Sequence, residues 1–324
     1  MLPTSRLGWM LLWLGAAALA VFPLLVPNFY VTLGANGLVW AIFALSLQLL
    51  VGGVGLVSLG HAAFFGIAAY TVYFVTPEGG SLSIFLTLPA AVLVAALAAL
   101  VMGALSLRTR GFFFLMVTLA FGQMAFFLFH DTGFGGGADG VFIGRPALSL
   151  FGFEFEVGRK QRSLVLYYLN LAILIAVFAF LVALLRSLFG QVLRGIRVNE
   201  HRMQALGFDT YRYKLGAFVV AGALAGVAGH MWAMNNAFVS PELTGWHLSA
   251  EALLMILVGG LHALHGAVIG AVTITGLNEV SQLITERQLL VQGLVILLVV
   301  LLLPKGLAGI TFPWRRKAEE AADE

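Results

Sequence analysis

Long apolar segments, separated by short polar connections, run through almost the whole chain. A helix that spans a bilayer needs about 20 mostly apolar residues, somewhat fewer or more when it is tilted. The pattern predicts an all-α polytopic membrane protein with about ten transmembrane helices. The ten candidate segments lie near residues 8–27, 31–51, 54–75, 84–107, 111–130, 163–186, 215–235, 249–261, 265–284 and 288–310.

Three of these segments are not simple spans. The first, with Arg6 and the small residues 16–20, also fits a secretory signal, but its apolar stretch reaches span length and no polar mature start follows. The others are the short segment 249–261 and the segment 54–75, which is interrupted by Gly55, Gly60 and Gly66. We predict that both are broken or re-entrant helices that meet near the bilayer midplane, where transporters often place unwound backbone.

Composition and charge agree with a membrane protein. The chain is 60% hydrophobic and only 10% charged, which excludes a water-soluble globular core. Zero cysteines exclude disulfides, thiolate metal sites and cysteine nucleophiles. The basic residues flank apolar segments, so the net charge of +3 reflects topology and predicts no nucleic-acid partner.

The charge distribution also predicts an orientation. With ten spans and a cytoplasmic N-terminus, the inner segments hold 13 of the 18 basic residues. The loop 131–162 has a net charge of zero, whereas 186–214 has a net charge of +4. By the positive-inside rule, 131–162 is an external loop, 186–214 is cytoplasmic, and both termini are cytoplasmic.

The segment 190–214 is long and charged but still has a helical pattern. Apolar residues lie within a charged frame, and Gly207 followed by Asp209 predicts a helix end and a restart. Such an amphipathic helix either inserts into a groove on a cytoplasmic partner or rests on lipid headgroups. The pattern alone leaves both open.

Several motifs resemble LivM-type permeases of ABC importers for branched-chain and other hydrophobic amino acids. The resemblance covers roughly residues 30–310. It rests on Gly190, Arg194, Ile196, Arg197, Asn199, Glu200, Arg202, 205–207, Tyr211, Lys214, 217–218 and 225–229, and further on 58–70, 118–122, 136–140, 239–242, 249–252, 259–260, Gly266 and Gly270.

The resemblance implies a transmembrane permease domain over 1–313, a short charged tail over 314–324, and a location in the bacterial inner membrane. It implies a coupling helix within 191–211, where 194–208 docks on an ATPase subunit through Arg194, Arg197, Asn199, Glu200, Arg202, Leu206 and Gly207. The implied partners are a LivH-like second permease, two LivG/LivF-like ATPase subunits, a soluble binding protein and the lipid bilayer. No phosphate-loop motif occurs in the chain, so ATP and Mg would bind the partner subunits, and this chain is expected to bind no cofactor and to be no enzyme.

Some positions depart from the family pattern, namely Gln123, Ala250, His262, His265 and Ala267. The resemblance therefore leaves open a cargo of urea, short amides or aromatic acids. An ion-driven secondary transporter is the alternative from another class.

Polar residues inside apolar segments are costly and often functional. We name Gln48, Ser58, His61 and Glu251 as candidates for the translocation path. Glu251 is equally explained as an acid near a helix N-terminus that is capped by Ser249, His61 as a structural hydrogen-bonding group, and Gln48 as a contact between helices.

The remaining motifs predict packing and not chemistry. Two pairs of small residues spaced four apart, Gly222 with Gly226 and Gly266 with Gly270, favour close helix packing within the chain or against a second permease. Residues 135–140 match a dinucleotide fingerprint by spacing but lack the preceding strand that the fingerprint requires. His262 and His265 have no third ligand nearby, so no metal site is predicted.

Overall fold

The computed structural model describes most of the chain as a helical bundle. The described residues are 6–76, 83–143, 149–150, 153–154, 159–261, 263–284, 288–302 and 306–309. The predicted tail 314–324 and His262 lie outside them. The helices are α1 (Arg6–Leu25), α2 (Asn28–Gln48), α3 (Ala62–Val75), α4 (Ile84–Ser106), α5 (Phe112–Asp131), α6 (Arg159–Arg186), α7 (Leu188–Val198), α8 (Glu200–Ala205), α9 (Thr210–Asn236), α10 (Trp246–Gly259), α11 (Leu264–Ile284) and α12 (Gln288–Leu302).

Five helices among the described residues are long and apolar enough to cross a membrane. They are α2 with its π-helical extension Leu49–Val54, α4, α5, α6 and α9. The pair α10 and α11, bent by 113°, qualifies together as a sixth. The chain is therefore a multi-pass, all-α membrane protein, and the figure of about ten spans stays a prediction.

The helices α2 and α9 form the centre of the bundle. Along the apolar stretch of α2, 94% of the residues are buried, whereas only 22% are buried along α4 and along α5. The helices α4 and α5 therefore lie at the periphery of the bundle. An aromatic cluster joins the central helices: the Trp40 ring lies 5.0 Å from that of Trp232 and 5.6 Å from that of Phe65. The side chains of Asn36 and Asn236 are hydrogen-bonded, and Trp40, four residues later in α2, meets Trp232, four residues earlier in α9, so the two helices run antiparallel.

The segment after α2 is unwound. Gly55 adopts a left-handed conformation with φ +83°, which favours glycine and ends the π-helical turns. Residues 55–61, called the interruption below, contain no regular helix, and α3 begins at Ala62. Gly66, predicted as a further break, lies inside the continuous helix α3, where its missing side chain admits Thr244.

The second half of the chain contains a similar arrangement. After α9, residues 237–245 form a short strand and a 3-10 turn, and α10 follows with 14 residues, the same length as α3. The N-terminal ends of the two short helices meet, because the Ser249 hydroxyl accepts a hydrogen bond of 2.8 Å from the Ala62 N–H. The two interrupted regions are therefore in contact inside the bundle.

The predicted external loop contains turns and short strands. Gly135, Gly136, Gly137 and Gly140 all have positive φ, and the strand Val141–Phe142 follows and pairs antiparallel with Phe238–Val239. A second pair joins Ser149–Leu150 with Phe153–Glu154. Since the strand Val141–Phe142 and not a helix follows the glycines, they do not lead into a helix N-terminus of the kind that holds the pyrophosphate in a dinucleotide site.

Candidate functional site

The predicted coupling helix is divided into two helices. We call residues 188–209 the elbow. The prediction of one helix over 194–208 is wrong, because Asn199 adopts an extended conformation (φ −158°, ψ 100°) between α7 and α8. Its side-chain Oδ1 accepts a hydrogen bond of 2.9 Å from the Arg202 N–H and so caps α8.

One face of α7 is packed onto the bundle and the other is exposed. Val192, Leu193 and Ile196 are buried at helical spacing, whereas Arg194 lies on the exposed side. The elbow also exposes large apolar side chains: Leu188 is 79%, Val198 86% and Leu206 66% exposed. Large apolar side chains that are this exposed are typical of an interaction surface.

The predicted end and restart at Gly207 and Asp209 is confirmed. Gly207 has φ +89°, and the Asp209 Oδ1 caps α9 by accepting a hydrogen bond of 3.2 Å from the Arg212 N–H. Met203, which the amphipathic pattern places among the apolar positions, turns inward. Its side chain packs so closely on Gly195 that a Cβ there would lie 2.6 Å from the Met203 sulfur.

Glu200 is paired within the chain. The Lys214 Nζ donates a hydrogen bond of 2.6 Å to the Glu200 Oε1, and the Thr210 hydroxyl donates one of 3.1 Å. Burial by itself would raise the pKa of Glu200, but the hydrogen bond and the charge of Lys214 outweigh it and hold the pKa below its ordinary value. Glu200 thus fastens the elbow to the first turn of α9.

Arg197 also points into the chain. Its Nη1 donates a hydrogen bond to the Gly52 carbonyl, and a Cβ on Gly55 would lie 3.3 Å from the Arg197 Cγ. Gly52 lies in the last turn of the α2 extension, where carbonyls have no following N–H to accept from. Arg197 therefore caps the C-terminal end of α2 from the elbow. Of the predicted coupling residues, Glu200 is partly buried and the other six are exposed on the surface, Arg197 among them, although its guanidinium reaches Gly52.

Among the described residues, no hydrogen bond joins any two of the four predicted path residues. Gln48 is buried and donates a hydrogen bond of 2.8 Å to the Leu261 carbonyl, in the turn between α10 and α11. The Glu251 Oε1 accepts one of 3.3 Å from the Asn278 side chain. Ser58 lies in the interruption with its buried hydroxyl unpaired within the described residues. Gln48 thus joins α2 to the turn after α10, and Glu251 joins α10 to α11.

His61 has a structural partner that the sequence does not suggest. The Ser46 hydroxyl donates to the Phe43 carbonyl at 2.6 Å and lies 2.8 Å from the His61 Nε2. Since the hydroxyl proton is used, Nε2 carries the ring proton and donates to Ser46. The ring stacks on Phe43 at 5.5 Å and is fully buried, so this histidine joins α2 to the end of the interruption.

Ser249 does not cap its own helix. The N-cap of α10 is Gly245, which has no side-chain oxygen, and the Ser249 hydroxyl instead caps α3 through the Ala62 N–H. The prediction for Ser249 is therefore wrong in its partner. The polar residues that the sequence interpretation missed are Ser46 and Asn278, and it named Lys214 as a motif position without naming its partner. Ser46 and Asn278 are each a polar residue in an apolar segment, which the sequence shows. The sequence does not show which helix each of them faces.

Both glycine pairs pack against helices of this chain. A Cβ on Gly222 would lie 2.3 Å from the Ala99 Cβ, and one on Gly226 would lie 2.6 Å from the Ala95 Cβ, both on α4. A Cβ on Gly266 would lie 2.8 Å from the Gly259 carbonyl oxygen, and one on Gly270 would lie 1.8 Å from the Met255 carbonyl oxygen, both on α10. Within the described part of the chain, no three His, Asp or Glu side chains are placed to hold a metal ion.

Comparison with known proteins gives a match over nearly all of the bundle. Residues 29–300 match the family described as branched-chain amino acid transport system / permease component. The chain is similar to the high-affinity branched-chain amino acid transport system permease protein LivM of Salmonella typhimurium, with 30% identity over 311 residues, which are 90% of this chain and 73% of that protein.

Two further relatives show how far the similarity extends. LivM of Escherichia coli K12 is 29% identical over 320 residues, which are 93% of this chain and 75% of that protein. The permease protein LivH of the same strain is 28% identical over 169 residues, 50% of this chain and 54% of that protein. No solved structure matches the chain.

Proposed function

Since the chain belongs to the family of permease components of branched-chain amino acid transport systems, we propose that it is the transmembrane permease subunit of an ATP-driven importer. The cargo is a branched-chain or other hydrophobic amino acid, delivered to the outer face by a soluble binding protein. The second permease is LivH-like, and two ATPase subunits bind from the cytoplasm. ATP and Mg belong to those subunits, and this chain changes no covalent bond.

The observation that carries this proposal is the elbow between α6 and α9. It exposes apolar side chains beside basic ones, and groove-binding helices in general insert apolar anchors while their charges pair at the rim. Arg197 is hydrogen-bonded to the end of α2, and Glu200 to the start of α9. These bonds favour a rigid lever that transmits movement over a helix that merely rests on lipid headgroups. Closure of the ATPase pair would move this lever and switch the path from inward-open to outward-open.

The proposed topology has ten crossings in the bacterial inner membrane, with α3 and α10 as short interrupted crossings and both termini in the cytoplasm. It leaves the elbow on the inner side and the paired strands of the external loop on the outer side. The positive-inside charge distribution supports it. Cysteine scanning is straightforward because the chain has no cysteine of its own.

The test is uptake by the complete importer in proteoliposomes, with radiolabelled leucine, urea, a short amide and an aromatic acid as competing cargos. We expect Leu206→Asp and Arg194→Glu to abolish co-purification of the ATPase subunits and uptake together. Arg212→Ala is the control, since Arg212 is a surface arginine that pairs with Asp209 and is not one of the proposed coupling residues.

Two results would contradict the proposal. The first is full uptake by Leu206→Asp at normal expression. The second is uptake by this chain alone, driven by an ion gradient without any ATPase, which would identify a secondary transporter.

A further inference from the structure

The interruption is closed at each end by a side chain from another part of the chain. At its inner end, Arg197 of the elbow donates to the Gly52 carbonyl, three residues before Gly55. At its other end, the Ser249 hydroxyl of α10 accepts from the Ala62 N–H. A helix end normally finds its capping group within the same few residues of sequence. Here both caps come from elements that are distant along the chain.

The backbone between these caps is poorly satisfied. Among the described residues, the N–H groups of 57–61 have no backbone hydrogen-bond partner. Unpaired backbone groups inside a membrane are costly, and such a segment is tolerated where it is packed in protein or lines a wet cavity. Gly60 is pressed against α5, where its Cα lies 3.0 Å from a Cβ placed on Gly122, whereas Leu56 and Val57 stay partly exposed. Leu56 and Val57 still pack against the hydrophobic core, so the inner half of the interruption is held less closely than Gly60 and is not detached from the bundle.

The elbow is connected to both interrupted regions of the bundle. Arg197 ties α7 to the end of α2, and the pair of Glu200 with Lys214 ties α8 to the start of α9. The helix α9 leads through residues 237–245 into α10, which carries Ser249. A displacement of the elbow therefore acts directly on the end of α2 and, through α9, on the helix that caps α3.

We infer that Arg197 is a positioning residue: its hydrogen bond to Gly52 transmits movement of the elbow to the interruption, whose inner half changes conformation during transport. This inference rests on the proposed function. It differs from the role that the sequence motif implies for Arg197, which is contact with the ATPase. Replacement of a docking residue should release the ATPase subunits, whereas replacement of a transmitting residue should keep them and lower the uptake per ATP. The two roles are therefore separable by experiment.

The experiment compares Arg197→Ala, Arg197→Lys and the control Arg212→Ala in the reconstituted complete importer, with ATPase co-purification, ATP hydrolysis and leucine uptake measured on each preparation. We expect Arg197→Ala to keep its ATPase subunits and to hydrolyse ATP, while the leucine taken up per ATP falls at least about tenfold. Arg197→Lys keeps one donor and should recover part of this ratio. Loss of the ATPase subunits in Arg197→Ala, as expected for Arg194→Glu, would overturn the inference, and so would an unchanged uptake ratio.

A second measurement follows the interruption itself. Val57→Cys places a single thiol on its partly exposed half, and the rate of labelling with a water-soluble maleimide is measured with and without ATP. We expect ATP to change this rate severalfold when Arg197 is present, by a smaller factor in the double variant with Arg197→Lys, which keeps a donor, and not at all in the double variant with Arg197→Ala. An equal response to ATP in all three overturns the inference. If the importer with Arg197 neither binds ATPase subunits nor takes up leucine, the proposed function fails instead.

Discussion

Replacement of Gly270 by alanine tests whether α10 and α11 pack as tightly as the structure has them. A Cβ on Gly270 would lie 1.8 Å from the Met255 carbonyl oxygen and 2.9 Å from the Gly259 backbone nitrogen. Both neighbours are backbone atoms of α10, so no side-chain rotation relieves the clash.

The cost of Gly270→Ala follows from the required displacement. Nonbonded heavy atoms prefer separations of about 3.5 Å, so the helices must part by roughly 1.5 Å, and a gap of about 1 Å already loses up to half of the dispersion energy of each contact. Overpacking in a tight core costs about 1–3 kcal/mol. Since the obstacle is backbone, we expect about 3 kcal/mol or more.

The control is Gly276→Ala on the same helix. A Cβ at Gly276 meets no atom within 4 Å, and alanine is favoured over glycine in a helix by about 1 kcal/mol. Each variant is purified in detergent and heated, and the fraction that remains monodisperse is followed by its tryptophan fluorescence on size-exclusion chromatography. We expect a clearly lower midpoint for Gly270→Ala and an unchanged or higher one for Gly276→Ala. Equal midpoints would refute the packing of α10 on α11.

Two further variants probe the connections of the bundle. Because Lys214 lowers the pKa of Glu200 against the opposing effect of burial, this carboxylate stabilises the fold above the ordinary glutamate pKa of about 4.3, and that contribution is lost as the pH falls through the lowered pKa. Glu200→Gln should therefore show a smaller drop in thermal midpoint than the unaltered chain between about pH 6 and pH 3, and equal drops would contradict the ion pair. Ser249→Ala removes the acceptor of the Ala62 N–H and should cost about 1 kcal/mol, measured by the same heating assay. The reference is the unaltered chain, and an alanine variant as stable as the unaltered chain would show that the cap contributes nothing.

Much of the helical framework is visible in the amino-acid pattern. The segments 84–107 and 111–130 correspond within two residues to α4 and α5, because the apolar length of a span is a local property. The helix end at Gly207 is equally local. The division of the elbow at Asn199 is not, since asparagine is compatible with both a helix interior and a cap, and the packing of Met203 on Gly195 accompanies the fold-back of α8.

The partners of the polar residues show the same limit. Gln48, His61 and Glu251 stand out because each is polar in an apolar segment. Which residue each one meets depends on how the helices are placed around α2. Gln48 reaches a carbonyl in the turn before α11, and Glu251 reaches a side chain late in α11. Neither contact has a periodicity or spacing that a single sequence displays.

The amino-acid sequence alone determined that this chain lies in a membrane, that the segment 190–214 is amphipathic, and that the segments 54–75 and 249–261 are not simple spans. Hydrophobic length, charge placement and glycine act over a few neighbouring residues, so they are readable along the chain. Only the tertiary structure decided that Arg197 caps a helix 145 residues away and that Ser249 caps another 187 residues away. A broken helix end in an apolar environment must take its hydrogen bond from whichever polar group the packing brings near, and that choice belongs to the whole bundle.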